Sequence, residues 1–163
     1  MTTATAPQTR ELDVVDTGVL SRYHAGLRSW PTTIEPDTGE VRLSVGHAVD
    51  ALVMRAGFGG EVNHQLVQAM LRAPIIVVPG SPGTKPDDWI FLTQPRTTMR
   101  QSTSADLVSA QVGWYEVGAT IPLPAFGSTN GGLRWVQRPK SGVELPGWGA
   151  VVGAVRRTFG RTW

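Results

Sequence analysis

Apolar residues recur along this chain at two spacings, and the spacings predict its elements. Phe58, Val62, Leu66 and Met70 sit four apart, with Val67 and Leu71 widening the stripe. That period predicts an amphipathic helix across AGFGGEVNHQLVQAMLRA, stopped by Pro74. An earlier stretch, TGVLSRYHAGLRSW, places Leu20, Tyr23 and Leu27 near helical spacing, with Thr17 as a cap and Pro31 as the stop. PTTIEPDTGEVRLSVG reads as two short extended pieces around the turn PDTG, and AVDALVM as an interior strand. PIIVVPG reads as a buried strand, SPGTKPDD as a hairpin loop and WIFLT as the antiparallel return.

The polar, basic connection QPRTTMRQSTS follows, in which Ser104 is placed to cap a short helix, ADLVSAQV. Then come GWYEVG, TIPLP, the Gly-rich loop FGSTNGG and the strand LRWVQRP, and a last helix is expected from about Trp148. The order β-α-β-β-α-β, with an extra leading helix, predicts a compact α+β domain whose mixed or antiparallel sheet carries flanking helices. Residues 1–16 are small and polar and are expected to be a disordered tail. Residues 17–150 form the domain, and 151–163 a basic tail or helix.

Composition narrows the class. A chain of 163 residues fits one domain able to bury a core without staples. Cysteine is absent, which removes disulfides, thiolate metal sites and cysteine nucleophiles and favours a reducing, cytoplasmic setting. No apolar run approaches the roughly 20 residues that span a bilayer, and MTTATAPQTR lacks the order of a signal peptide. Net charge is +2, with pI ≈ 9.5, so a nucleic-acid surface is compatible with the charge but not demanded by it.

Chemistry-bearing residues are sparse. His24, His47 and His64 belong to different elements, and neither HExxH nor paired Cys/His spacing is present. His64 is expected on a solvated helix face; only His47 lies near an acid, Asp50. GFGG, GSPG and GSTNGG match no phosphate-loop pattern and read better as turns, with Lys85 at a hairpin tip. GxSxG is missing, and the serines of RQSTSAD suit loop and cap roles. Arg96, Arg100, Arg134 and Arg138 interleave with Trp89, Trp114, Tyr115 and Trp135. Such a surface would stack bases and neutralise phosphates, although core packing accounts better for the tryptophans. AVVGAVRRTFGRTW has an apolar and a basic face, suited to its own domain first, and otherwise to a partner groove or an anionic membrane.

The order and flavour of these stretches over roughly residues 18 to 150 resemble a shortened, degenerate primase-polymerase (prim-pol) domain of the archaeo-eukaryotic primase superfamily. SRYHAGLRSWPTTIEPDTGEV resembles that family's helix, Gly-Trp-Pro, strand and Pro/Gly turn. RLSVGHAVDALVMRAGFGG is similar to its Asp-x-Asp strand and following glycines, and PIIVVPGSPGTKPDDWIFL to the hairpin carrying its active-site histidine. SADLVSAQVGWYEVGATIPLP with GGLRWVQRP resembles the closing Asp…Gly-Tyr-Val…Pro-Pro segment and its Trp strand. Carried over by resemblance, Asp50 matches the first acid, but Leu52 replaces the second. Trp89, or else Asp88, stands at the histidine position, and Asp106 matches the last acid, with Val108 in place of a basic neighbour.

Two-metal nucleotidyl transfer needs carboxylates converging on cations about 4 Å apart, which a lone Asp50 beside Leu52 does not supply. The resemblance therefore implies a non-catalytic binding or regulatory protein, without a cofactor. Its contacts with nucleic acid or a protein partner would run through Arg96, Arg100, Arg134, Arg138, Arg156 and Arg157, and a protein partner would meet the C-terminal segment. One alternative is a residual enzyme binding a nucleotide with Mg²⁺ or Mn²⁺ at Asp50 and Asp106. Another is a structural subunit of a larger assembly.

Overall fold

The computed structural model describes residues 30–124 and 132–161. The tail 1–16, the leading helix with His24, and FGSTNGG as far as residue 131 lie outside the described residues. The described elements run β1 (Thr32–Ile34), β2 (Val41–Ser44), β3 (Asp50–Arg55), α1 (Ala56–Gln68), β4 (Ile75–Val78) and β5 (Asp88–Thr93). They continue with α2 (Gln101–Ser109), β6 (Gly113–Trp114), β7 (Thr120–Pro122), β8 (Arg134–Gln137) and α3 (Trp148–Phe159).

The strands form two sheets, ordered β1-β2-β7 and β6-β3-β5-β4-β8, and every strand pair is antiparallel. The expected α+β class is therefore observed, with an antiparallel rather than a mixed sheet. The run β3-α1-β4-β5-α2-β6 is the predicted β-α-β-β-α-β unit. Its order β6-β3-β5-β4 is that of a ferredoxin-like split βαβ, in which β5 returns between β3 and β4.

Period-two alternation explains why the strand sequences read as continuous apolar runs. Leu52, Met54, Ile75 and Phe91 face one way and pack with Val62, Leu66, Leu107, Val151 and Val155 of the helices. Ala51, Ile76, Ile90 and Leu92 face the other way and pack with Leu43, Val45, Ile121 and Leu123 of the smaller sheet. The five-stranded sheet is thus the middle of three layers, covered on both faces.

GFGG does not form a turn. It opens α1, and Gly59 faces the sheet, where an added Cβ would lie 3.1 Å from Trp89 and 3.3 Å from Phe91. The small residue lets the helix sit close on these rings. Ser104 does not cap α2. The helix begins one turn earlier, with Arg100 at its N-cap, and the Ser104 hydroxyl donates to the Gln101 carbonyl at 2.9 Å. Hydroxyl back-bonding of this kind is common for a serine inside a helix.

The stripe of α1 also ends sooner than its spacing suggests. Val62 and Leu66 are buried, but Val67 is exposed and Met70 is 95% exposed. The helix stops at Gln68, and Met70 turns left-handed at φ 57. The Met70 N–H then donates to the Val67 carbonyl, and the Leu71 N–H to the Leu66 carbonyl, both at 2.9 Å. These are the two bonds of a Schellman cap. The end of α2 repeats it, with Gln111 at φ 56 and bonds from Gln111 to Val108 and from Val112 to Leu107. Both caps place a side chain where glycine costs least. Met70→Gly and Gln111→Gly are each expected to stabilise the fold by about 1 kcal/mol, read as a higher urea midpoint with unchanged slope.

Tyr115 packs between the two sheets. Burial pushes its hydroxyl up from 10.0, and the Asp88 carboxylate adds to the rise. The folded state therefore holds this proton more tightly than the unfolded chain does. The resulting stability is complete below the unfolded value and is lost as pH rises through the folded one. In alkaline unfolding series, Tyr115→Phe is expected to show a shallower decline above about pH 10.

Candidate functional site

Asp50 opens β3 on the face shared with Leu52 and Met54, at the margin of the helical layer. It is fully buried. Oδ1 accepts the Ala51 N–H at 3.0 Å, and Oδ2 accepts the Arg96 N–H at 3.2 Å. The Arg96 guanidinium lies beside it, with Nε 3.6 Å from Oδ2 and the side chain 11% exposed.

Arg96 follows β5, whose last residue, Thr93, is the register partner of Asp50, so the antiparallel pairing carries residues 94–96 back over the carboxylate. The same guanidinium is 3.3 Å from Glu116, and its Cζ lies 5.2 Å from the ring centroid of Trp148, at the start of α3. Glu116 also accepts the indole N–H of Trp114 at 3.0 Å. Asp50 is thus the buried end of a polar cluster that runs out through Arg96 to the exposed Glu116 and joins β3, the β5–α2 connection, β6 and α3.

Leu52, Trp89, Asp88 and Asp106, the other positions that the sequence resemblance singles out, are engaged elsewhere. Leu52 is fully buried opposite Phe91 and Trp114. Trp89 packs against the helical core beside Phe91, and Asp88 pairs with Arg55 at 3.0 Å and Lys85 at 3.2 Å. Asp106 is half-exposed on α2 and accepts Arg156 Nε at 2.7 Å, while Arg156 Nη2 donates to Thr103.

The Arg96–Trp148 and Arg156–Asp106 contacts lie at opposite ends of α3, about 12 Å apart along its axis at 1.5 Å per residue. Asp50 and Asp106 are therefore held by different arginines. Among the described residues, no group of three or more His, Cys, Asp or Glu is arranged to hold a metal. His47 is exposed in the bend before β3, where the Gly46 N–H donates to the Val49 carbonyl, and His64 is on an exposed helix face beside Gln68.

The six arginines singled out from the sequence do not share one surface. Arg96 is internal, so it does not lie on an exposed sheet face with Arg134 and Arg138. Arg134 is exposed at the start of β8, 3.9 Å from Asp87. Arg100 and Arg156 flank a small cleft against α3, and Arg157 is exposed on the last turn of that helix.

Arg138 lines a larger open groove of ≈ 710 Å³ with Trp30, Arg72 and Lys140. Arg72 and Lys140 were not among the sequence candidates, although RPK places Lys140 two positions after Arg138. The aromatic residues expected in the core are there. Trp89 packs in the helical layer, and Tyr115 and Trp135 pack between the sheets. The smaller sheet thus covers the face that an open RNA-binding sheet would use for stacking.

No family model, curated protein or solved structure matches this chain.

Breaking a buried ion pair costs about 3–5 kcal/mol when the remaining charge is left uncompensated, and the low end applies where Arg96 keeps the exposed Glu116 and the Trp148 ring. Asp50→Ala is expected to lower stability by that amount in urea unfolding. Arg96→Met is expected to cost less, because the Asp50 carboxylate keeps two N–H donors. The double variant is expected to lose less than the sum of the two.

Proposed function

We propose that this chain is a non-catalytic binding module on a prim-pol-like scaffold and that its partner is single-stranded nucleic acid. The observation that carries the non-catalytic part is the bonding of Asp50. The acid that matches the family's first metal ligand accepts hydrogen bonds from two backbone N–H groups and lies against Arg96. A cation at that carboxylate would have to displace a guanidinium, with buried Leu52 where the second ligand would stand.

The nucleic-acid part rests on how the charges are distributed. Asp50, Asp87, Asp88 and Asp106 each face a basic side chain within ion-pair distance. Arg72, Arg100, Lys140 and Arg157 are exposed and form no ion pair among the described residues. Exposed cations outside internal pairs are the ones able to release counterions from a phosphate backbone.

The test is the affinity for a labelled oligothymidylate across a salt series. A log–log slope of about −0.7 for each phosphate neutralised is expected, and a slope near zero contradicts the nucleic-acid reading. Nucleoside triphosphate binding that requires Mn²⁺ would contradict the non-catalytic reading.

A further inference from the structure

The antiparallel register of the large sheet gathers positive charge at one end of the molecule. Ile75, the first residue of β4, is paired with Gln137, the last of β8. Arg72, three residues before Ile75, and Arg138 to Lys140, just after Gln137, therefore emerge at the same place. The Gln137 side-chain amide donates to the Ala73 carbonyl at 2.6 Å and ties the two segments together. Gln94 arrives there from the end of β5, held by its N–H to the Pro146 carbonyl at 2.9 Å, and Trp30 stands on the approach to β1.

The result is the ≈ 710 Å³ groove, lined by Trp30, Arg72, Gln94, Arg138 and Lys140, with Glu144 as the acid in its wall. Its size is within the roughly 300–1,000 Å³ of ligand sites, and Arg72 and Lys140, which form no ion pair among the described residues, bring positive charge to it. Trp30 supplies a large aromatic side chain next to those cations.

We infer that this groove is a phosphate-binding site, in which Arg72 and Lys140 hold the phosphate group and Trp30 flanks the attached ring. This rests on the nucleic-acid reading and adds to it where the strand's phosphates are held. Guanidinium and ammonium groups offer charge-assisted hydrogen bonds to phosphate oxygens, and an indole face beside them stacks a base regardless of its identity. The chemistry serves a phosphodiester strand or a free phosphate compound, and the experiment separates the two.

The full-length protein is titrated with fluorescein-labelled oligothymidylate and, separately, with inorganic pyrophosphate. The wild type is compared with R72E/K140E and with R161E, which reverses an exposed charge just beyond the far end of α3. Unchanged circular dichroism and urea midpoints establish that the variants fold. Oligothymidylate affinity is expected to fall at least about tenfold in R72E/K140E and much less in R161E, with pyrophosphate competing only weakly.

Equal losses in R72E/K140E and R161E, or no loss in either, overturn the groove assignment while the nucleic-acid reading stands. Absence of oligothymidylate binding, with saturable pyrophosphate binding lost in R72E/K140E, overturns the nucleic-acid reading and keeps the phosphate site. Absence of binding to either probe overturns both.

Discussion

The pairing of Asp50 with Arg96 is the contact on which the arrangement of this molecule turns. A carboxylate removed from water is tolerated only where donors and a counter-charge replace its hydration. Here the donors come from the residue after it and from a residue 46 positions on. Satisfying the carboxylate fixes the path of the connection after β5. That connection carries the guanidinium to Trp148 and Glu116, and so ties the first turn of α3 and the segment after β6 to the sheet. Around the pair, the middle sheet is covered by helices on one face and by the smaller sheet on the other. Its side chains are thereby committed to packing, and the exposed surface is left to the ends and edges of the layers.

Much of the fold is legible in the sequence because the strands are apolar on both faces and bounded by Gly and Pro. ALVM, IIVV and WIFL mark β3, β4 and β5, and the PDTG and SPGTKPDD turns mark two hairpins. The four-residue spacing of Phe58, Val62 and Leu66 marks α1. The helix ends are less legible. A left-handed cap is usually announced by glycine, whereas these two are made by Met70 and Gln111. Their hydrogen bonds and the burial of Leu66 and Leu107 over-determine a backbone that neither residue favours locally. The pairing of β2 with β7 joins residues nearly 80 positions apart and leaves no local signature.

The site was less readable than the fold. Asp50 stands out in sequence because it precedes an apolar run, but nothing near it identifies Arg96 as its partner. In sequence Arg96 is one of several basic residues in a polar connection, equivalent to Arg100. The register of β3 with β5 separates them, burying one and leaving the other exposed. Likewise Arg72, which precedes a buried strand, and Lys140, which follows a proline, come to line one groove only through the pairing of β4 with β8. Residue type shows which groups can carry charge, and strand register decides which of them meet.

The bonding of the Asp50 carboxylate to two N–H groups, with the Arg96 guanidinium beside it, predicts that it does not ligate a divalent cation. Paramagnetic Mn²⁺ titrated into isotopically labelled protein tests it at the atoms concerned, because amide resonances broaden steeply with proximity to the ion. The amide signals of Ala51 and Arg96, which donate to that carboxylate, are expected to stay sharp at Mn²⁺ concentrations that broaden exposed acidic positions such as Asp37. Selective early broadening of the Ala51 and Arg96 signals would contradict it.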